Sequence, residues 1–94
     1  MAVSRADRRS ERRPRVVELF GDMQADTALD LLELMELAWH DCYAEVTPPD
    51  DVIGDVLVCS RGELALLVRA IHLGVNDSRD LKLWAIDERT RNTR

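Results

Sequence analysis

Ninety-four residues, 46% of them apolar, suffice for one folded domain with a thin core, so self-association is an expectation from size alone. The net charge of −5 sets 13 Lys and Arg against 18 Asp and Glu, and no run approaches the ~18 uninterrupted apolar residues of a spanning helix. Two cysteines, Cys42 and Cys59, without CxxC spacing exclude a zinc motif and a disulfide framework.

Charge is unevenly placed along the chain. Residues 1–15, "MAVSRADRRSERRPR", hold Arg5, Arg8, Arg9, Arg12, Arg13 and Arg15 against only Asp7 and Glu11. This segment has no apolar block to bury, which predicts a disordered basic arm over 1–14 bounded by Pro14. It lacks the apolar core of a secretory signal, and its acids argue against a transit peptide, so the expected location is the cytoplasm. Residues 16–88 are strongly acidic, with Arg61, Arg69, Arg79 and Lys82 as their only cations. A single helical domain is expected over 15–90, followed by a disordered tail at 91–94.

Residues 26–45 contain no Gly or Pro and are rich in Leu, Glu, Ala and Met, which predicts a long helix capped by Asp26 or Thr27. At about 100° per residue, Ala28, Leu31, Leu32, Leu34, Met35, Ala38, Trp39 and Cys42 share one apolar face. Asp26, Asp30, Glu33, Glu36, His40 and Asp41 share the opposite one.

"TPPD" at 47–50 reads as a helix start, with Thr47 as cap and Pro48 in the first turn. The following "DVIGDVLVC" suits a short helix to about residue 58, with a strand as the alternative over 52–59. "SRGE" carries the spacing of a capping box, Ser60 with Glu63, ahead of a helix over 61–74. Ala65, Arg69 and His72 form its only polar arc, so this helix is expected to be central or covered by another chain. Gly74 is its expected terminator. A last helix is expected over about 78–88 with Asp77 as cap; the loose alternation of "LKLWAI" leaves a strand open over 81–86. The predicted fold is an all-α, four-helix domain.

"WHDCY" at 39–43 places His, Asp and Cys side by side. Residues two apart on a helix point about 200° away from one another, so His40 and Cys42 cannot form a nucleophile with its base. Glu33, Glu36 and His40 lie along one stripe and raise a metal site with His72, but no second helix carries a matching Glu-x-x-His pair. "NDSRD" at 76–80 lacks the Gly and terminal Glu of a calcium loop. A DNA-reading helix within 61–74 would offer base edges little beyond Arg69 and His72. No phosphate-cradling loop is present.

Leu29 and Leu37 fall inside the acidic arc. Together with Glu33, Glu36, His40 and Asp41 they resemble a polar-rimmed contact patch. These observations point to a non-enzymatic interaction protein without a cofactor, acting through an acidic helical surface and self-associating as a homodimer. Its acidic body also suits a partner with a basic surface. The alternative is a nucleic-acid-associated regulator that uses Arg5, Arg8, Arg9, Arg12, Arg13 and Arg15, although the arm has no aromatic residue to stack on bases.

Overall fold

The computed structural model of the protein describes residues 4–92, and its first helix begins inside the expected arm. The Ser4 hydroxyl accepts the Asp7 N–H at 3.1 Å and caps α1, Arg5–Phe20. The disordered arm over 1–14 is thereby corrected from Arg5 onward; residues 1–3 lie outside the described residues. Two physical reasons account for it. Val16 and Phe20 bury at the far end of the same helix, and the arginines meet a matching row of acids. Pro14 sits within α1, where it removes the hydrogen bond to the Ser10 carbonyl without ending the helix.

Gly21 alone joins α1 to α2, Asp22–Tyr43. Its φ of 81° with ψ of 164° is open to glycine and closed to L side chains, and its N–H bonds to the Val17 carbonyl at 2.8 Å. So short a joint folds the two helices into an antiparallel hairpin. The ion pairs run in opposite chain order: Arg13 with Asp26, Arg9 with Asp30, Arg8 with Glu36. At the other end of α2, Ala44 takes a left-handed conformation and its N–H bonds to the His40 carbonyl. Trp39 donates to Glu45 at 3.0 Å, and the Tyr43 hydroxyl donates to the Val75 carbonyl at 2.8 Å, fixing how the chain leaves the helix.

Residues 50–60 form α3, Asp50–Ser60, which settles the helix-or-strand ambiguity in favour of helix. The Pro49 carbonyl accepts the Val52 and Ile53 N–H groups, while the expected cap Thr47 accepts a hydrogen bond from Arg12 instead. Val52, Ile53, Val56, Leu57 and Cys59 are all buried. The β-branched density that suggests a strand is therefore a sign of deep burial, and packing overrides propensity. This helix takes the central place expected of the next one.

The Ser60–Glu63 capping box does not form. Ser60 closes α3, and its hydroxyl donates to the Leu57 carbonyl at 2.7 Å. Arg61 and Gly62 then turn the chain at positive φ. A Cβ at Gly62 would stand 2.2 Å from the Leu19 carbonyl oxygen, so the end of α1 seats directly on this turn. α4 spans Leu64–Asn76 and buries only Leu67, Ala70 and Gly74. Gly74 lies inside the helix and does not end it.

Asp77 accepts the N–H groups of Arg79 and Asp80 and caps α5, Ser78–Asn92, as expected. This helix runs past the expected end near 88 and takes in Arg91; residues 93 and 94 lie outside the described ones. Leu81, Ala85 and Glu88 form its inward stripe. Among the described residues the protein is thus a five-helix, all-α fold and not a four-helix one. α1 packs on α2, α2 on α4, and α3 on both α4 and α5, which also touch each other. One apolar core joins Val16 of α1 to Ala85 of α5. No described helix is long and apolar enough to cross a membrane.

Two glycines in helix interiors are expected to respond oppositely to alanine. A Cβ at Gly54 meets only Arg15 and Arg89 side-chain atoms, at 3.7 and 3.9 Å. Gly54→Ala should therefore stabilise the fold by about 0.5–1 kcal/mol through helix propensity. A Cβ at Gly74 comes within 3.0 Å of Leu81 and 3.2 Å of Met35, in the core. Gly74→Ala should cost about 1 kcal/mol, since overpacking outweighs propensity. Urea unfolding of the two variants checks both signs.

Candidate functional site

Glu36 lies on the face of α2 that sequence reading assigns to solvent, yet it is only 2% exposed. Arg8 Nε approaches its Oε2 at 2.5 Å and Arg8 Nη2 its Oε1 at 3.1 Å, while Arg12 Nη1 reaches Oε2 at 3.0 Å. Arg12 also donates to Thr47, which ties α1 to the segment before α3. Burial works against the charged form of Glu36, but the hydrogen bonds from Arg8 and Thr47 and the charge of Arg12 prevail. Its carboxyl is held below the usual glutamate range.

Two further carboxylates repeat the pattern at the other end of the molecule. Asp55 of α3 is 1% exposed and is gripped by Lys82 at 2.7 Å and Arg89 at 2.8 Å, both from α5. Glu88 of α5 is 3% exposed and receives both arms of Arg61 and the Trp84 indole N–H. Arg61 holds the Glu88 carboxyl below its usual range. Among the described residues, every buried side-chain polar atom has a hydrogen-bond partner. These groups clamp helices to one another, and each carboxylate is held against at least one cation.

The thiols follow the same division. Cys59 is buried beside Asp55 and Glu88, and desolvation with these two charges pushes its thiol up to about 12. It stays protonated and weakly nucleophilic near neutral pH. Cys42, expected on the core face, is exposed. The structure does not gather Glu33, Glu36, His40 and His72, since the arginines of α1 occupy Glu36 and Glu33. Among the described residues no group of three or more His, Cys, Asp and Glu is placed to hold a metal ion.

The expected contact patch divides in two. Leu29, read as exposed, is 1% exposed and packs in the core, and Glu36 is buried with it; α1 covers both. Glu33 is half-buried against Arg9 at 3.2 Å. Leu37, at 47% exposure, remains on the surface with His40 and Asp41. Leu34, expected in the core, joins them at 58%.

The arginines expected in a free arm are largely engaged. Arg5, Arg8 and Arg12 converge on Glu36, Arg9 spans Asp26, Asp30 and Glu33, and Arg13 pairs with Asp26 at 2.6 Å. Arg15 makes no such pair among the described residues and lies at a cleft of about 580 Å³ between α1 and α3.

A second surface feature escapes sequence reading. α4 and α5 together present Val68, Leu83 and Ile86, each about half or more exposed. Between the two helices runs an open groove lined by Val68, Arg69, His72, Leu73 and Trp84. The all-round apolar character of 61–74 is its one legible signal. Comparison with known protein families, with curated proteins and with solved structures finds no match for the chain.

The clamps generate two expectations. Glu36→Gln should destabilise the fold by about 2–3 kcal/mol, because two poorly exposed guanidinium groups lose their counter-charge. Glu36 and Glu88 titrate below the ordinary glutamate value of 4.5, so the stability they add is complete above that pH and is lost as pH falls through their lowered values. A circular-dichroism acid titration should show unfolding that begins below the ordinary value, and in Glu36→Gln part of that pH dependence should be gone.

Proposed function

We propose that the protein is a non-catalytic interaction module that pairs with a second copy of itself through the outer faces of α2, α4 and α5. One observation carries this reading: two exposed stripes of the chain are complementary in both charge and spacing. On α2, Leu34, Leu37 and Asp41 follow one another at intervals of three and four residues, along one outward line. On α5, Arg79, Leu83 and Ile86 follow at intervals of four and three. Laid antiparallel, the stripes set Asp41 against Arg79, Leu37 against Leu83 and Leu34 against Ile86. Among the described residues neither Asp41 nor Arg79 has an ion-pair partner, whereas most charges of α1 and α2 do.

α4 lies between α2 and α5. A two-fold pair therefore uses the stripe match twice and brings Val68 of α4 toward its own counterpart, giving the self-complementary patch that a closed dimer needs. The apolar residues supply the affinity and the flanking charges the register. This surface drops Leu29, Glu33 and Glu36 from the expected patch and keeps its Leu37, His40 and Asp41. It also explains why a helix as apolar as α4 buries so few of its side chains within one chain.

Light scattering after size exclusion tests the reading. The expected mass is twice the 10.7 kDa of one chain at micromolar concentration. Leu37→Asp should return it to one chain with helicity unchanged. Asp41→Arg should weaken association at least several-fold, and combining it with Arg79→Asp should restore it. A monomer at all concentrations would end the proposal.

A further inference from the structure

α1 is a basic helix lying on an acidic one, and the two halves of that contact differ in kind. From Pro14 onward, Val16, Val17 and Phe20 fix α1 through the apolar core. From Arg5 to Arg13 the contact is made by ion pairs, several of them in water: the Asp26 and Asp30 side chains are 70% and 66% exposed, and that of Arg13 is 46% exposed. The most extensive packing of α1 is on α2. Pro14 removes a backbone hydrogen bond at the boundary between the halves, which is where a helix bends most easily.

We infer that the Arg5–Arg13 half of α1 is a nucleic-acid-binding surface masked by the acidic face of α2, and that a phosphate backbone displaces that face and takes its place. Arg5, Arg8, Arg9, Arg12 and Arg13 recur at helical spacing on one side of α1, so they present a continuous cationic line. Guanidinium forks fit phosphate oxygens as well as they fit carboxylates. Asp26, Asp30, Glu33 and Glu36 occupy the complementary line of α2, about 15 Å long at 1.5 Å per residue. They offer roughly one charge per 4–5 Å, whereas a duplex carries about one per 1.7 Å.

That difference in density is why the partner is a nucleic acid and not an acidic protein segment. An ordinary acidic helix carries no more charge than α2 and lacks the advantage of being tethered beside α1. Arg15 gives an incoming backbone its first contact, because it lines the exposed α1–α3 cleft and has no ion-pair partner among the described residues. The apolar anchor keeps α1 attached while its first half exchanges partners. The net charge of −5 repels a duplex from the rest of the surface, so binding is confined to low salt or to a chain whose mask is weakened.

The test uses the full chain and a short fluorescent duplex, with anisotropy read across a salt series. Asp26→Asn with Asp30→Asn should tighten binding about tenfold, since three ion pairs of the mask are gone. Asp80→Asn with Glu63→Gln makes the same charge change outside the acidic line of α2 that faces Arg5–Arg13 and should tighten it far less. Arg9→Gln with Arg13→Gln should abolish it. Hydrogen exchange should show residues 26–36 of α2 losing protection when the unmasked variant binds the duplex and regaining it when the duplex is removed. Equal effects of the two acid-neutralised pairs would reduce the result to net charge and overturn the mask. Binding by none of the variants, or binding to anionic vesicles in place of the duplex, would overturn the nucleic-acid assignment.

Discussion

A buried carboxylate shared by two arginines governs how this chain folds. Glu36 is withdrawn from water where Arg8 and Arg12 reach it, and the first half of α1 docks where Glu36 receives them, while Val16 and Phe20 anchor its second half in the core. Removing either side leaves the other with a charge that its surroundings solvate poorly. The one-residue joint at Gly21 makes the arrangement possible, since it aligns the arginine rows of α1 with the acid rows of α2 in reverse order. Asp55 and Glu88 do the same work for α3 and α5, so each flank of the core is closed by an ionic clamp as well as by apolar packing.

This economy of charge also explains the unusual composition. A chain with so few aromatic residues and a thin core cannot rely on large side chains to define how its helices sit. Fork-shaped guanidinium groups against carboxylates supply direction where small aliphatic contacts supply little. The surface that results is divided: cations and anions cancel along α1 and α2, while the apolar stripes and unpaired charges gather on α2, α4 and α5.

Much of the fold was readable from sequence, and the errors share a cause. The helical class, the Asp77 cap and the approximate extents of α3 and α5 follow from local signals. The disordered arm was read from composition, which counts arginines as groups that must stay in water; it cannot show that acids at 26, 30, 33 and 36 stand opposite them. For the same reason Leu29 and Glu36 read as exposed, because helix periodicity defines two faces and α2 in fact buries toward two neighbours, α1 and α4. Ser60 and Glu63 have the spacing of a capping box, but the Arg61–Gly62 turn gives Ser60 to the end of α3. Of the expected contact patch, Leu37, His40 and Asp41 stay on the surface; the apolar surface of α4 was legible in the all-round apolar character of 61–74, whereas the stripe on α5 was invisible without knowing which face the core would take.

The joints between helices bear on how this chain can vary in length. Gly21 and Asp77 are single-residue connections, and each has its backbone N–H bonded into the helix before it. One residue inserted in the α1–α2 joint, or within α2 ahead of its acids, would turn the acid row by about 100° and carry Glu36 away from Arg8 and Arg12. The same insertion before α5 would swing Arg89 and Lys82 off Asp55. The segment 44–49 is different, since it holds no helix and is mostly exposed. Length variation compatible with the fold is therefore concentrated there, and the two hinge-like joints are positions where a deletion or insertion changes partners and not merely spacing.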